Sequence, residues 1–140
     1  MLLFFLTSCA GNGQGLDENG NPIGSDGNNG LPIAFPPTFT NIQQNVFSAI
    51  CIECHIGPGA PQGLRLDEAN SYDMLVRILS QERSNLFRVN PGNPDRSYLI
   101  RKLEGGPDIT GAQMPLNRTP LSQPTINSIR IWIAQGAPRN

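Results

Sequence analysis

The sequence predicts a small all-α domain of three to four helices that follows a flexible leading segment. Two observations support this fold class. After Thr38, apolar residues recur at helical spacing in four stretches, whereas residues 11–30 contain seven Gly and five Asn and few aliphatic side chains. The length of 140 residues favours one folded domain, which we place at 38–140.

Composition and charge exclude one class of partner. The formal net charge is −1, and nucleic-acid binding needs a basic surface. The ten basic residues all lie at or after Arg65, and eight acidic residues follow Thr38, so the predicted domain carries a formal charge of +2. This charge is too small to predict an acidic docking partner.

The first nine residues predict export. Leu2 to Leu6 are apolar, and Leu6-Thr7-Ser8-Cys9 resembles the lipobox of bacterial lipoproteins, in which the cysteine is acylated and the preceding peptide is removed. The stretch is shorter than the roughly 20 residues that span a bilayer and lacks the basic start of a secretory signal. We therefore predict a lipoprotein-type signal at 1–9, the alternative being an apolar terminus with a spare thiol.

Residues 10–37 predict a linker between this anchor and the domain. Their Gly, Asn and Pro content leaves too little apolar surface to offset the entropy of ordering. A flexible segment of this length has an end-to-end reach of roughly 30 Å. The predicted arrangement is thus a domain tethered above a membrane.

Four helices are predicted in the domain from periodicity and capping residues. Thr40 to Gln43 fits a capping box, in which the Thr40 hydroxyl and the Gln43 side chain satisfy backbone amides at the start of a helix. Met74, Leu75, Ile78 and Leu79 share one face of the second helix. The predicted helices run from Thr40 to about Cys54, from Ser71 to Gln81, from an Asn93 cap to Glu104, and from a Ser122 cap to Gln135.

Cys51, Cys54 and His55 form a C-x-x-C-H pattern, the attachment site of a c-type haem. Residues three apart on a helix share one face, so both thiols can meet one porphyrin edge while the next residue turns its imidazole toward the iron. His55 is the only histidine of the chain. One covalent haem c is therefore the predicted cofactor, with His55 as an iron ligand.

Two other interpretations of the cysteines remain open. A redox disulfide between Cys51 and Cys54 usually accompanies a βαβ pattern, which the surrounding sequence lacks. A zinc site needs four well-spaced ligands, and no fourth candidate lies near Cys54 and His55.

From Thr38 to Pro138 the chain resembles the class I cytochromes c of bacteria. The resemblance is carried by C-x-x-C-H, by Met114-Pro115 and by the ending Trp132-Ile133-Ala134-Gln135-Gly136-Ala137-Pro138. Phe47 also occupies the position, four residues before the first haem cysteine, where that family usually has an aromatic side chain. Gln43 stands where the family often has the glycine that lets its terminal helices cross closely.

The resemblance implies that the Met114 thioether is the second iron ligand. Met74 is the less favoured candidate, since it lies on a predicted apolar face where methionine is usually core filler. A backbone carbonyl in the loop after His55 would accept the Nδ1 proton, with Gly59 to Pro61 as candidates. Such an iron, with both axial positions filled, implies a one-electron carrier rather than an enzyme.

The alternatives are a peroxidase-like enzyme or sensor with an open sixth iron position, and a structural subunit that holds haem. Arg65, Arg88 and Arg101 are candidates to pair with haem propionates. The predicted location is the periplasm or the cell surface, with the outer membrane favoured because Ala10 rather than Asp follows Cys9. Redox proteins are the expected partners, while their identity and the oligomeric state stay open.

Overall fold

A computed structural model describes residues 30–140. The predicted lipid-anchored Cys9 and most of the predicted linker lie outside these residues. Within 30–140 no helix is both long and apolar enough to cross a bilayer.

The described chain is all-α, as predicted. It has four α-helices, and its backbone forms isolated bridges but no strand between residues 30 and 140. The helices are α1 (Phe39–Ile42), α2 (Ser71–Leu75), α3 (Tyr98–Glu104) and α4 (Gln123–Ala134).

The first helix begins earlier and ends sooner than predicted. The N-cap is Thr38, whose hydroxyl accepts the Asn41 N–H at 3.2 Å, so the capping box predicted at Thr40 is wrong. The Thr40 hydroxyl instead donates to the Asn140 carbonyl at 2.7 Å. After α1 the chain continues as a π-helical turn, Gln43–Phe47, and a 3₁₀ turn, Cys51–Glu53.

The second helix stops at Leu75, six residues before the predicted end. Arg77 has a φ of 60°. This left-handed conformation is incompatible with a right-handed α-helix, so the helix cannot continue through Arg77. From there the chain pairs with a later segment, as Arg77 N–H donates to the Val89 carbonyl and Arg88 N–H to the Ile78 carbonyl. Ile78 and Leu79 are 41% and 51% exposed, so the predicted apolar face does not extend past Leu75.

The fourth helix follows the sequence prediction, but the third, predicted as one helix from Asn93, is divided: Ser97 is extended (φ −97°, ψ 118°), so α3 begins only at Tyr98. Asn93 caps a short 3₁₀ turn before α3, which ends at Gly105 in the left-handed conformation that glycine favours. The Ser122 hydroxyl caps α4 by accepting the Thr125 N–H at 3.3 Å. On α4, the side chains of Ile126, Ile129, Trp132 and Ile133 are buried.

The folded unit begins at Leu31, before the predicted boundary at Thr38. The Asn127 side chain on α4 donates to the Pro32 carbonyl at 2.8 Å, and Ser128 Oγ donates to the Phe35 carbonyl at 2.9 Å. The core joins α4 to α1, the π-turn and α3. Its fully buried large side chains include Ile42, Phe47, Leu75, Ile100, Ile129, Trp132 and Ile133.

Candidate functional site

A cavity of about 280 Å³ lies beside this core. It is lined by Cys51, Cys54, His55 and Met114. In the sequence, 63 positions separate Cys51 from Met114. Most of the remaining wall is apolar, and it includes Phe47, Leu64, Leu66, Leu75, Leu99 and Leu103. The fold thus brings the four predicted site residues to one apolar cavity.

His55 is held by the loop that follows it. Its Nδ1 lies 2.9 Å from the Leu64 carbonyl oxygen, which can only accept, so Nδ1 is the donor and Nε2 is the ring nitrogen left to bind a ligand. The predicted type of partner is confirmed, but the candidates Gly59 to Pro61 were wrong. The Leu66 N–H in turn donates to the His55 carbonyl at 2.8 Å, which fixes the backbone of the same residue.

The two cysteines lie on a 3₁₀ turn and differ in environment. The Cys54 N–H and the His55 N–H both donate to the Cys51 carbonyl, at 3.2 and 2.9 Å, so one turn fixes all three residues. Cys51 is partly buried and Cys54 is exposed. Burial, with a smaller effect of Cys54, raises the pKa of the Cys51 thiol to about 11.

Met114 reaches the cavity from the loop between α3 and α4. Its N–H donates to the Lys102 carbonyl at 2.8 Å, and its side chain packs against the core. Met74 lies elsewhere: its sulfur accepts the Arg65 N–H at 3.3 Å, and it is not part of the cavity wall. Of the two candidate thioethers, Met114 is the one at the cavity.

A buried ion pair, which the sequence did not reveal, lies on the cavity wall. Lys102 Nζ is 3.0 Å from Glu82 Oε2, and the Tyr98 hydroxyl donates to the same carboxylate oxygen at 2.8 Å. Lys102 also donates to the Thr110 carbonyl at 2.8 Å. An (i, i+4) relation links Tyr98 to Lys102 on α3, but Glu82 comes from a distant loop, so no local pattern could indicate the pair.

Arg88 is the one propionate candidate that reaches the cavity. It is 7% exposed, and its guanidinium donates to the Met74 carbonyl at 2.9 Å and to the Gln62 carbonyl at 2.7 Å. Arg65 pairs with Asp67, and Arg101 lies 3.6 Å from Asp108. Neither Arg65 nor Arg101 contributes to the wall.

The donor set at this cavity fits a covalently attached haem. Two thiols can form thioethers, an imidazole and a thioether sulfur are both ligands for haem iron, and apolar walls suit a macrocycle. The cavity reaches the surface beside Glu53 and Arg118, whose side chains are each 51% exposed. Within residues 30–140, no group of three or more His, Cys, Asp or Glu is arranged to hold a metal ion by itself.

No family model, curated protein or solved structure matched this chain in the three comparisons made.

Proposed function

We propose that this chain is a mono-haem c-type cytochrome that carries one electron at a time. The observation that supports the proposal best is the convergence of Cys51, Cys54, His55 and Met114 on one apolar cavity. Met114 lies 59 residues beyond His55 in the sequence, so the fold rather than local spacing brings it to the same wall as the C-x-x-C-H turn.

Each of the four residues has one role in this proposal. Cys51 and Cys54 would hold the porphyrin by thioether bonds, and His55 and Met114 would be the ligands of its iron. The Leu64 carbonyl fixes the His55 proton on Nδ1, which orients the ring and keeps Nε2 available. When bound, the haem supplies the one-electron Fe(III)/Fe(II) couple.

Other residues of the chain would adjust the reduction potential of that couple. The apolar wall formed by Phe47, Leu66, Leu75 and Leu103 excludes water, and a low dielectric disfavours the more highly charged ferric state. The Met114 thioether raises the reduction potential in the same direction. Cys54 is exposed, so the attached porphyrin edge would lie near the surface, where an electron can pass to a partner.

Replacing Met114 by Ala tests the axial assignment. We expect the variant to lose the weak long-wavelength iron–sulfur absorption of the ferric protein and to have a lower reduction potential. Optical spectra before and after dithionite, together with a redox titration, measure both properties. Met74→Ala is the matched control, because the Met74 sulfur bonds the Arg65 amide away from the cavity.

Two results would contradict the proposal at different levels. A purified mature protein without visible absorption, or without the mass of a porphyrin adduct, would remove the haem itself. An unchanged spectrum in Met114→Ala would leave the haem in place but exclude the thioether ligand, and it would favour the enzyme or sensor with an open sixth position.

We further propose that a lipid on Cys9 tethers the domain to a membrane facing the periplasm or the cell surface. The support is the lipobox-like sequence before Cys9. Cys9→Ser should move the cytochrome from the membrane fraction to the soluble fraction of broken cells, with its spectrum unchanged. Retention of the variant in the membrane fraction would refute the anchor, and a control variant Ser8→Ala should stay with the membranes.

A further inference from the structure

The segment that carries Met114 is fastened very differently on its two sides. On the preceding side, four hydrogen bonds join it to α3, one of them from the Thr110 N–H to the Tyr98 hydroxyl at 2.9 Å. The Met114 N–H donates to the Lys102 carbonyl at 2.8 Å, the Gln113 side chain donates to the Leu103 carbonyl at 2.7 Å, and Lys102 Nζ donates to the Thr110 carbonyl at 2.8 Å. This side of Met114 is therefore firmly attached to the core.

On the following side, a single ion pair replaces this set of bonds. Within the described chain, residues 115–121 make one polar contact to a distant residue: Arg118 pairs with the Glu53 carboxylate. Leu116 in this stretch is 49% exposed, although it lines the cavity. Glu53 and Arg118 both line the cavity too and are half-exposed, so their contact lies at a solvent-facing part of its wall.

Glu53 has a particular place in the sequence. It is the residue directly before Cys54, inside the C-x-x-C-H turn. The ion pair therefore joins the turn that carries the cysteines and His55 to the segment that carries Met114. Our proposed function requires these two parts of the chain to keep a fixed distance from each other, because each of them carries one ligand of the iron.

We propose that Glu53 and Arg118 are a positioning pair that keeps the Met114 sulfur on the iron against competing ligands. This inference rests on the proposed function. A neutral ligand such as imidazole would replace the Met114 sulfur at the iron, so one bond to iron would be lost, one gained, and no electron or proton transferred. We expect the segment after Met114, whose Leu116 and Arg118 line the cavity, to move when such a ligand enters.

The exposure of the pair sets the size of the effect. An ion pair between half-exposed side chains is worth little in water, so losing it changes an equilibrium by roughly 1.5- to 5-fold. The attraction is also screened by salt, because the Debye length falls from about 30 Å at 0.01 M to about 3 Å at 1 M. The pair thus holds the Met114 segment closed weakly and reversibly.

The test measures imidazole binding to the ferric holoprotein by stopped-flow absorption. Glu53→Gln keeps the shape of the side chain and removes its charge, while Arg118→Gln removes the guanidinium charge and shortens the side chain. We expect each variant to bind imidazole roughly 1.5- to 5-fold faster, and the affinity to rise in the same proportion. The charge-swapped double variant Glu53→Arg/Arg118→Glu should return toward the parent rate, which a merely structural loss would not do.

A matched control removes an ion pair of similar exposure elsewhere. Arg139 lies 3.2 Å from Asp73, with exposures of 55% and 66%, and neither residue lines the cavity. Asp73→Asn should leave the imidazole rate unchanged. Salt provides a test without any variant, since raising the concentration from about 0.01 M to about 1 M should speed binding to the parent protein and leave the two Gln variants nearly unaffected.

Equal imidazole rates in the parent and both Gln variants would overturn the inference, as would equal salt dependence in all of them. Either result would be obtained on a coloured holoprotein, and so it would leave the proposed function standing. A colourless preparation would instead refute the proposed function before any rate was measured. Hydrogen exchange of the backbone amides gives a second measurement: in Arg118→Gln, the 116–119 amides should exchange faster while the Met114 amide stays protected.

Discussion

At the scale of single residues, the two cysteines of the C-x-x-C-H turn are chemically unequal before any haem is attached. Cys51 packs against the core, and its burial raises the pKa of the thiol to about 11. Cys54 is exposed. With this pKa, Cys51 is deprotonated only far above neutral pH. Because the thiolate is the nucleophile, Cys51 is a poor nucleophile at neutral pH.

We predict that Cys54 is alkylated before Cys51 in the haem-free protein. A thiol whose pKa rises by about two units has on the order of one hundredth of the usual thiolate at pH 8, and partial burial slows its reaction further. Brief iodoacetamide pulses followed by peptide mass spectrometry separate the two sites and also Cys9. The Cys51 rate should rise steeply up to about pH 11, as its folded-state pKa requires.

Unfolding provides the control for this prediction. In denaturant both thiols lose their folded environment, so their alkylation rates should become similar. A Cys51 rate equal to that of Cys54 in the folded, haem-free protein would contradict the assigned burial.

The sequence could identify the candidate residues of the site more readily than their hydrogen-bond partners. C-x-x-C-H and the resemblance around Met114 are local signals, and the cavity contains all four residues. The Leu64 carbonyl could not be chosen, because the loop after His55 offers many carbonyls and its path depends on tertiary packing. The ion pair between Arg118 and Glu53 could not be predicted for the same reason, since 65 positions separate the two residues in the sequence.

At the scale of elements, Gln43 links the π-turn to the loop that holds His55. It is 4% exposed, and its amide nitrogen donates to the Leu66 carbonyl at 2.9 Å. Its amide oxygen accepts a hydrogen bond from the buried Ser71 hydroxyl at the start of α2. Gln43 therefore takes part in a buried polar network of its own.

Gln43→Ala should destabilise the holoprotein by about 1–3 kcal/mol, because it leaves the buried Ser71 hydroxyl and the Leu66 carbonyl without this partner. Urea unfolding followed by circular dichroism measures the loss. Gln44→Ala is the matched control, since Gln44 is exposed, and it should change stability by less than about 0.5 kcal/mol. Equal effects of the two substitutions would show that the network around Gln43 adds no net stability.

Helix prediction succeeded where local signals agreed and failed where distant pairing decided the conformation. Ser122 and Gly105 mark the start of α4 and the end of α3 by capping chemistry that the sequence contains. Ile78 and Leu79 have helical spacing as well, but the backbone there pairs with Leu86 and Arg88 instead. Periodicity cannot distinguish a helix from this backbone pairing, because the pairing segment lies about ten residues away and no nearby residue indicates it.

At the scale of the whole molecule, the cavity interrupts the core of a small domain. Phe47, Leu75 and Leu103 are at most 3% exposed, and each lines the cavity as well as packing in the core. The same side chains therefore support both the fold and the proposed cofactor. A domain of this size has a typical unfolding free energy of only about 5–15 kcal/mol, so the contents of the cavity should matter for stability.

We predict that the haem-free protein is less stable than the holoprotein by at least about 3 kcal/mol, comparable to the 2–5 kcal/mol cost of truncating a large core side chain. Filling the cavity with a macrocycle gives Phe47, Leu75 and Leu103 apolar contacts that water cannot replace. Urea unfolding of the same chain, produced with and without haem attachment and followed by circular dichroism, measures the difference. Trp132, buried in the core away from the cavity wall, gives an independent fluorescence signal from the haem-free form. Equal urea midpoints for the two forms would mean that the helices close over the cavity by themselves, and the apolar wall would then require no cofactor to explain it.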